Sequence, residues 1–269
     1  MKLDKHIGIC HICGQRDRLT YEHVPPKSAF NNQPARLYNM LDSIGSDNLP
    51  WETPTQKAEI LQKGIGKYSL CSHCNNSTGG WYGEEYVKFV RSMHYTIVGL
   101  KLTADQVLGI QATEIYPLKI FKQILAMFCS INIEGFSENS NFRDYIMDRE
   151  RNDFDTGKYR LSMYICTADS MPKQIPICAV GNLRGQTFRC ITELVHYPFG
   201  FVLEMDYDAE KTSPGADITA FSQCKFEDKC NVEMWIPVKS SYSYFPLDYR
   251  SKNEIIACRI KNLKYEGKE

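Results

Sequence analysis

Two Cys-x-x-Cys pairs carry the clearest chemistry in the chain: Cys10-His-Ile-Cys13 followed by Gly14, and Cys71-Ser-His-Cys74 followed by Asn75. In such a knuckle both thiolates reach one ion at about 2.3 Å, and two knuckles complete a tetrahedral four-thiolate site for structural Zn2+. Cys129, Cys166, Cys178 and Cys258 sit instead in apolar runs, as free core cysteines do. His11 and His73, inside the knuckles, read as bystanders pointing outward, because four thiolates already satisfy the ion. No βαβ pattern surrounds either pair, which argues against a redox role. A closed four-thiolate site leaves no position for water, so this zinc staples the fold and catalyses nothing.

Between the knuckles, LTYEHVPPKSAF (residues 19 to 30) sets Glu22 beside His23 just before Pro25 and Pro26. Neighbours on a strand point to opposite faces, so such a pair serves one site only at the strand's edge. As a lone dipeptide it is a surface pair. Flanked by two metal knuckles, it becomes a candidate for proton transfer, since an imidazole can deprotonate water near neutral pH.

The order CxxC, carboxylate-His before proline, then CxxCN resembles the zinc-containing subgroup of HNH (ββα-metal finger) endonucleases, over residues 10 to 85 or so. The resemblance implies a β-hairpin and a following helix that hold one catalytic divalent cation, Mg2+ or Mn2+. Carried over by position, Glu22 is one metal ligand, Asn75 the second, and His23 the general base. DNA is the implied partner, with RNA not excluded, and the reaction is hydrolysis of a phosphodiester bond. Oxygen ligands of this kind suit Mg2+, which keeps several waters in its shell. Asn75 has a rival in Asn76, and either could instead cap the helix that follows. The chain departs from the family in three places: Glu22 stands where Asp or His is commoner, an insertion spans residues 31 to 66, and the family's base-orienting Asn has only Asn48 as a local candidate.

Lys27, Lys63, Lys67 and Arg36 are the nearest cations for phosphate contacts, or else a solvated face. Trp51, Pro54 and the GIGK turn mark the insertion as a cover or a substrate-reading loop. Trp81 and Tyr82 either stack on bases or anchor a helix on the adjoining domain, with anchoring the commoner use.

The elements that must position these residues follow from texture. Residues 1 to 80 are rich in Cys, His, Asn, Pro and Gly, as in a region ordered by metal rather than by a large core. From Trp81, WYGEEYVKFVRSMHYTIVGL places Tyr82, Tyr86, Phe89, Val90 and Met93 at helical spacing, with Gly99 as a stop. YPLKIFKQILAMFCSINI predicts a second helix, with Pro117 in its first turn and Ile120, Ile124, Met127, Phe128 and Ile131 on one stripe. After a short polar helix around NFRDYIMDRER, six runs read as strands: RLSMYICTA, QIPICAVGN, TFRCITELVHY, FGFVLEMDY, CNVEMWIPV and EIIACRIKNL.

The expected fold class is therefore α+β. It comprises an N-terminal zinc-stapled ββα-metal (HNH, treble-clef-like) module over residues 1–100, a helical middle, and a C-terminal, mainly antiparallel sheet within residues 101–269. That second region carries no motif convertible into chemistry, and is a candidate for homo-oligomer contacts. With 32 basic and 32 acidic residues the net charge is zero, so no global field draws the protein to nucleic acid or membrane. The start lacks a signal peptide's pattern, no long apolar span follows, and eleven cysteines is an odd number, all of which point to a reducing cytoplasm. Domain pairing of this sort suits an anti-phage or mobile-element nuclease, and the alternative is a non-catalytic zinc-stabilised module that binds nucleic acid or protein.

Overall fold

The computed structural model describes residues 6–39, 48–52, 57–182 and 187–266; Pro54 lies outside them. The N-terminal region contains the strands Ile7–Ile9 (β1), Arg16–His23 (β2), Ala35–Leu37 (β3), Glu59–Leu61 (β4) and Gly66–Cys71 (β5). β2 is the middle strand of an antiparallel sheet, order β1-β2-β5, while β3 and β4 pair within the insertion. The end of β2 is held against β5 with Glu22 opposite Lys67 and His23 opposite Gly66. A Cβ at Gly66 would collide with the Glu22 carbonyl oxygen, so only glycine lets the two backbones close at this point.

β5 runs straight into the helix Ser72–Thr78 (α1), which passes through a π-helical turn, Gly79–Gly83, into Glu84–Ile97 (α2). The helical spacing read from the sequence is observed: Tyr82, Tyr86, Phe89, Val90 and Met93 are buried. Phe89 stacks on Phe199 at 5.7 Å, and Tyr82 donates its hydroxyl to the Ile146 carbonyl at 2.6 Å, which makes it an anchor. The helix stops at Val98, which is extended, and Gly99 follows at φ +90°.

The helix Pro117–Ile131 (α3) opens with proline in its first turn, as expected, but it is buried on every side rather than along one stripe. It is wedged between the N-terminal module and the C-terminal sheet. Ser130 reaches Glu22 on one side, while just beyond the helix Asn132 bonds Thr192 and the Ile177 N–H on the other. Full burial of side chains such as Phe121, Ile124, Leu125 and Phe128 contributes roughly 2 kcal/mol each. Two short helices, Phe136–Asn139 (α4) and Phe142–Met147 (α5), complete the middle.

The large sheet has strands Val107–Ile115 (β6), Arg160–Cys166 (β7), Lys173–Asn182 (β8), Thr187–His196 (β9), Phe199–Met205 (β10), Ala216–Asp217 (β11) and Cys230–Lys239 (β12). Their order is β6-β12-β7-β10-β9-β8, with β11 pairing β7, and every pairing is antiparallel except β12 with β7. The architecture is thus mixed α+β with a large C-terminal sheet. One expected strand is corrected: EIIACRIKNL lies in a helix, Lys252–Glu266 (α6). Its start is a capping box, in which Ser251 N–H donates to Glu254 Oε2 at 2.8 Å and Glu254 N–H to Ser251 Oγ at 3.3 Å. That local signal outweighs the β-branched content of the run. One cluster of buried apolar residues extends from Cys10 and Leu70 through α2 and α3 to Phe201 and Val238.

Candidate metal centre and active-site cleft

The four knuckle cysteines converge: the Sγ atoms of Cys10, Cys13, Cys71 and Cys74 all lie within 4.8 Å of one another. Tetrahedral thiolates about 2.3 Å from an ion stand about 3.8 Å apart, and Cys13 Sγ to Cys71 Sγ is 3.9 Å. Gly14 completes the first knuckle in the left-handed region, at φ +70°, with its N–H on the Cys10 carbonyl at 2.9 Å. Cys71 is the N-cap of α1, its sulfur accepting the Cys74 N–H at 3.5 Å, and the Cys71 N–H donates to Cys10 Sγ at 3.3 Å. The Cys74 thiol and the backbone groups of Cys13, Cys71 and Ile12 pull the Cys10 thiol down, toward thiolate. N–H groups aimed at anionic sulfur and the near-tetrahedral spacing both fit a structural zinc.

The reading of the knuckle histidines is half corrected. His73 is exposed, but His11 is buried against α3, with Nδ1 3.3 Å from the Cys129 carbonyl, and burial pushes its pKa down. His11 fills the seam between knuckle and helix, where an exposed bystander would leave a gap.

Glu22, His23 and Asn75 border one cleft of about 490 Å³, together with Lys27, Gly79 and Gln123. Glu22 and His23 do point to opposite faces of β2, as alternation requires. The His23 ring packs edge-on to Tyr21 at 5.2 Å, whereas Glu22 turns inward to accept the Ser130 hydroxyl at 2.7 Å. Because they sit at the end of the strand, both faces open on the same cleft. Burial pushes the Glu22 carboxyl up to about 7, against the opposing effect of the Ser130 bond. Asn75 lies in the first turn of α1, inward of the cap that Cys71 supplies, and donates Nδ2 to Thr20 Oγ1 at 2.9 Å; Asn76 is exposed.

The insertion fixes the imidazole. His23 Nε2 lies 3.0 Å from the Lys63 carbonyl, which can only accept, so Nε2 is the donor of this bond. The loop carrying Lys63 is pinned by Asn31, buried to 2 % exposure. Asn31 donates Nδ2 to the Pro25 and Ile65 carbonyls and accepts the Ile65 N–H, each at 2.7 Å. Gly64, at φ +102°, passes so close to the Asn31 carbonyl that a Cβ would overlap it.

Asn31 anchors the loop that carries Lys63, and the sequence offered no spacing by which to find it. Ser130 and Gln123, both on α3, were also unforeseen, because they belong to a helix read only as core. Of the candidate phosphate-contacting cations, Lys27 borders this cleft and Arg36 a second one of about 550 Å³ beside Trp51.

Comparison with protein-family models, with curated proteins and with solved structures returns no match for this chain. Its oxygen donors can still be tested against a hard cation. Glu22 and Asn75, which both border the cleft, carry a carboxylate and an amide oxygen, donor types that suit Mg2+ or Mn2+ and not a thiophilic ion. No helix among the described residues is long and apolar enough to cross a membrane.

Proposed function

We propose that the protein is a metal-dependent endonuclease of the HNH kind, hydrolysing phosphodiester bonds in DNA, with His23 as general base. One observation carries this reading: the carbonyl of Lys63 accepts from His23 Nε2 and holds that ring beside Glu22 and Asn75 in a single cleft. Glu22 and Asn75 would hold a divalent cation, and that ion, when bound, supplies charge stabilisation for the phosphate and the leaving oxygen. His23 Nδ1 takes the proton from the attacking water. Asn31 keeps the Lys63 carbonyl, and through it the ring, in place. Lys27 offers a cation at the mouth of the cleft for the substrate's backbone.

The zinc-bound knuckles would fix the two halves of this arrangement, since Cys71 and Cys74 flank the start of the helix that presents Asn75. A second reading, a non-catalytic zinc-stabilised binding module, is favoured by the partners Glu22 and Asn75 already have in Ser130 and Thr20.

Cleavage of supercoiled plasmid with Mg2+ or Mn2+ separates the two. Nicked or linear product that disappears with EDTA and in His23→Ala, with zinc content and folding retained, supports the nuclease. Binding of nucleic acid or protein that His23→Ala leaves unchanged, with no product in any metal, supports the binding module.

A further inference from the structure

Trp81 and Tyr82, the rings the sequence offers for stacking on bases, are spent on the core, Trp81 packed against it and Tyr82 wholly buried. A different row of rings stays open to solvent. Tyr21 and His23 are two apart on β2 and so share a face, the one opposite Glu22, and Tyr68 on β5 is the direct partner of Tyr21 across the sheet. His6 stacks on Tyr68 with ring centroids 3.5 Å apart and planes 5° from parallel. Tyr68 meets Tyr21 edge-on at 5.3 Å, and Tyr21 meets His23 in the same way at 5.2 Å. Tyr68 is 42 % and Tyr21 37 % exposed. Gly66 lets the Tyr21 ring lie against the sheet, since a Cβ there would stand 2.8 Å from Tyr21 Cε1.

Cross-strand aromatic pairs stabilise a sheet, which accounts for the contact between Tyr21 and Tyr68 and not for their exposure. Contiguous exposed rings mark a binding surface. This row ends at His23, and Tyr21 itself borders the cleft together with His23 and Lys27. Duplex DNA gives such a row nothing to stack on, because its bases already stack on one another, and its binding is carried largely by cations on its phosphates. Here those are sparse: the net charge is zero, and of the candidate cations Lys27 borders this cleft. An unpaired strand is bound differently. Each of its bases presents a π-face, and stacking on aromatic side chains holds it whatever the base.

We propose that His6, Tyr68 and Tyr21 form a stacking platform for the unpaired bases of single-stranded DNA, leading that strand along the outer face of the β1-β2-β5 sheet to His23. The platform names the substrate class of the cleft, unpaired rather than duplex DNA, and in that respect it rests on the proposed function. Binding of the strand is independent of any cleavage, so the two can be tested apart.

The test is fluorescence anisotropy of the zinc-loaded full chain with a labelled DNA strand and with the same strand annealed to its complement, at physiological salt and without added Mg2+ or Mn2+. The wild type should bind the single strand about tenfold or more tightly than the duplex. Tyr68→Ala, which removes a ring that does not touch His23, should weaken single-strand binding about tenfold, and Tyr68→Phe should keep it, because stacking uses the ring and not the hydroxyl. Wild-type single-strand affinity in a folded Tyr68→Ala protein overturns the proposal. Zinc content and circular dichroism report folding, and should Tyr68→Ala misfold, duplex bound as tightly as single strand by the wild type overturns it by itself. Mn2+ is then added. A strand held through Tyr68 and never cut overturns the nuclease and leaves the platform standing, whereas plasmid cleaved by a protein whose single-strand binding ignores Tyr68 overturns the platform and leaves the nuclease.

Discussion

Asn31 and Ile65 exchange two hydrogen bonds of 2.7 Å, Nδ2 to the Ile65 carbonyl and the Ile65 N–H to Oδ1. The side chain thereby acts as a surrogate strand partner, tying the loop that follows His23 to the return of the insertion. A third bond, to the Pro25 carbonyl, leaves the amide nothing further to donate.

Replacing Asn31 by Ala strands buried backbone groups and is expected to cost about 3 kcal/mol. Because the Lys63 carbonyl moves with this loop, the His23 ring loses its orientation. Cleavage should fall about 100-fold in kcat with little change in KM, as when a catalytic group is displaced by an ångström. Chemical denaturation and steady-state kinetics on one preparation check both. A variant that loses stability and keeps kcat would show that the imidazole does not depend on Asn31.

Metal analysis should return one zinc per chain, lost in Cys10→Ser and in Cys71→Ser alike. The pair is informative because Cys71 also caps α1. Serine is itself a good cap, so a purely capping role would leave Cys71→Ser nearly unharmed. Chelating the ion from the wild type should unfold the N-terminal strands and α1, because zinc binding to such sites is worth about 10 kcal/mol or more. Zinc content and circular dichroism before and after chelation measure this directly.

Lys122 gives stability a pH dependence of known sign. Burial pulls its ammonium down from an ordinary 10.5 to about 7, against the nearby Asp148, while Nζ donates to two carbonyls beyond α5. Between those values the unfolded chain binds more protons than the folded one, so this residue's contribution improves as pH rises from about 7 to 10.5 and is worst below 7. In Lys122→Met the slope disappears, while the two carbonyls remain unpaired at every pH. Denaturation midpoints of the two proteins across that window should diverge steadily, and parallel curves would refute the assignment.

What could be read in advance depended on how local its cause is. The four cysteines were legible because two knuckles constrain their own spacing, and the apolar repeat from Tyr82 to Met93 because a helix face is periodic. The helix Lys252–Glu266 reads as a strand from its β-branched content although its cause, Ser251 with Glu254, is also local. Asn31 was not legible, since Ile65 lies 34 positions away and no periodicity links them. Ser130 acts on Glu22 from 108 positions away, and His11 turned inward because a helix more than a hundred residues later packs on it. Tertiary contacts of that range leave no mark on the local pattern.

Gly79 bears on whether the cleft is a path for substrate. Its backbone is helical, at φ −61° and ψ −42°, and a Cβ there would meet nothing within 4 Å. Neither conformation nor packing requires glycine, yet glycine in a helix costs about 1 kcal/mol relative to alanine. The residue borders the cleft that holds Glu22, His23 and Asn75, so open space is what its missing side chain provides. Gly79→Ala should therefore raise stability by about 0.5–1 kcal/mol and leave cleavage nearly unchanged. Gly79→Phe should fold with its zinc, still bind Mn2+, and cleave plasmid at least about tenfold more slowly, because a ring of that size fills the space a nucleic-acid strand would need. Undiminished cleavage by a folded Gly79→Phe protein would mean that the substrate does not pass over Gly79, and would move the search for its path to the cleft beside Trp51 and Arg36.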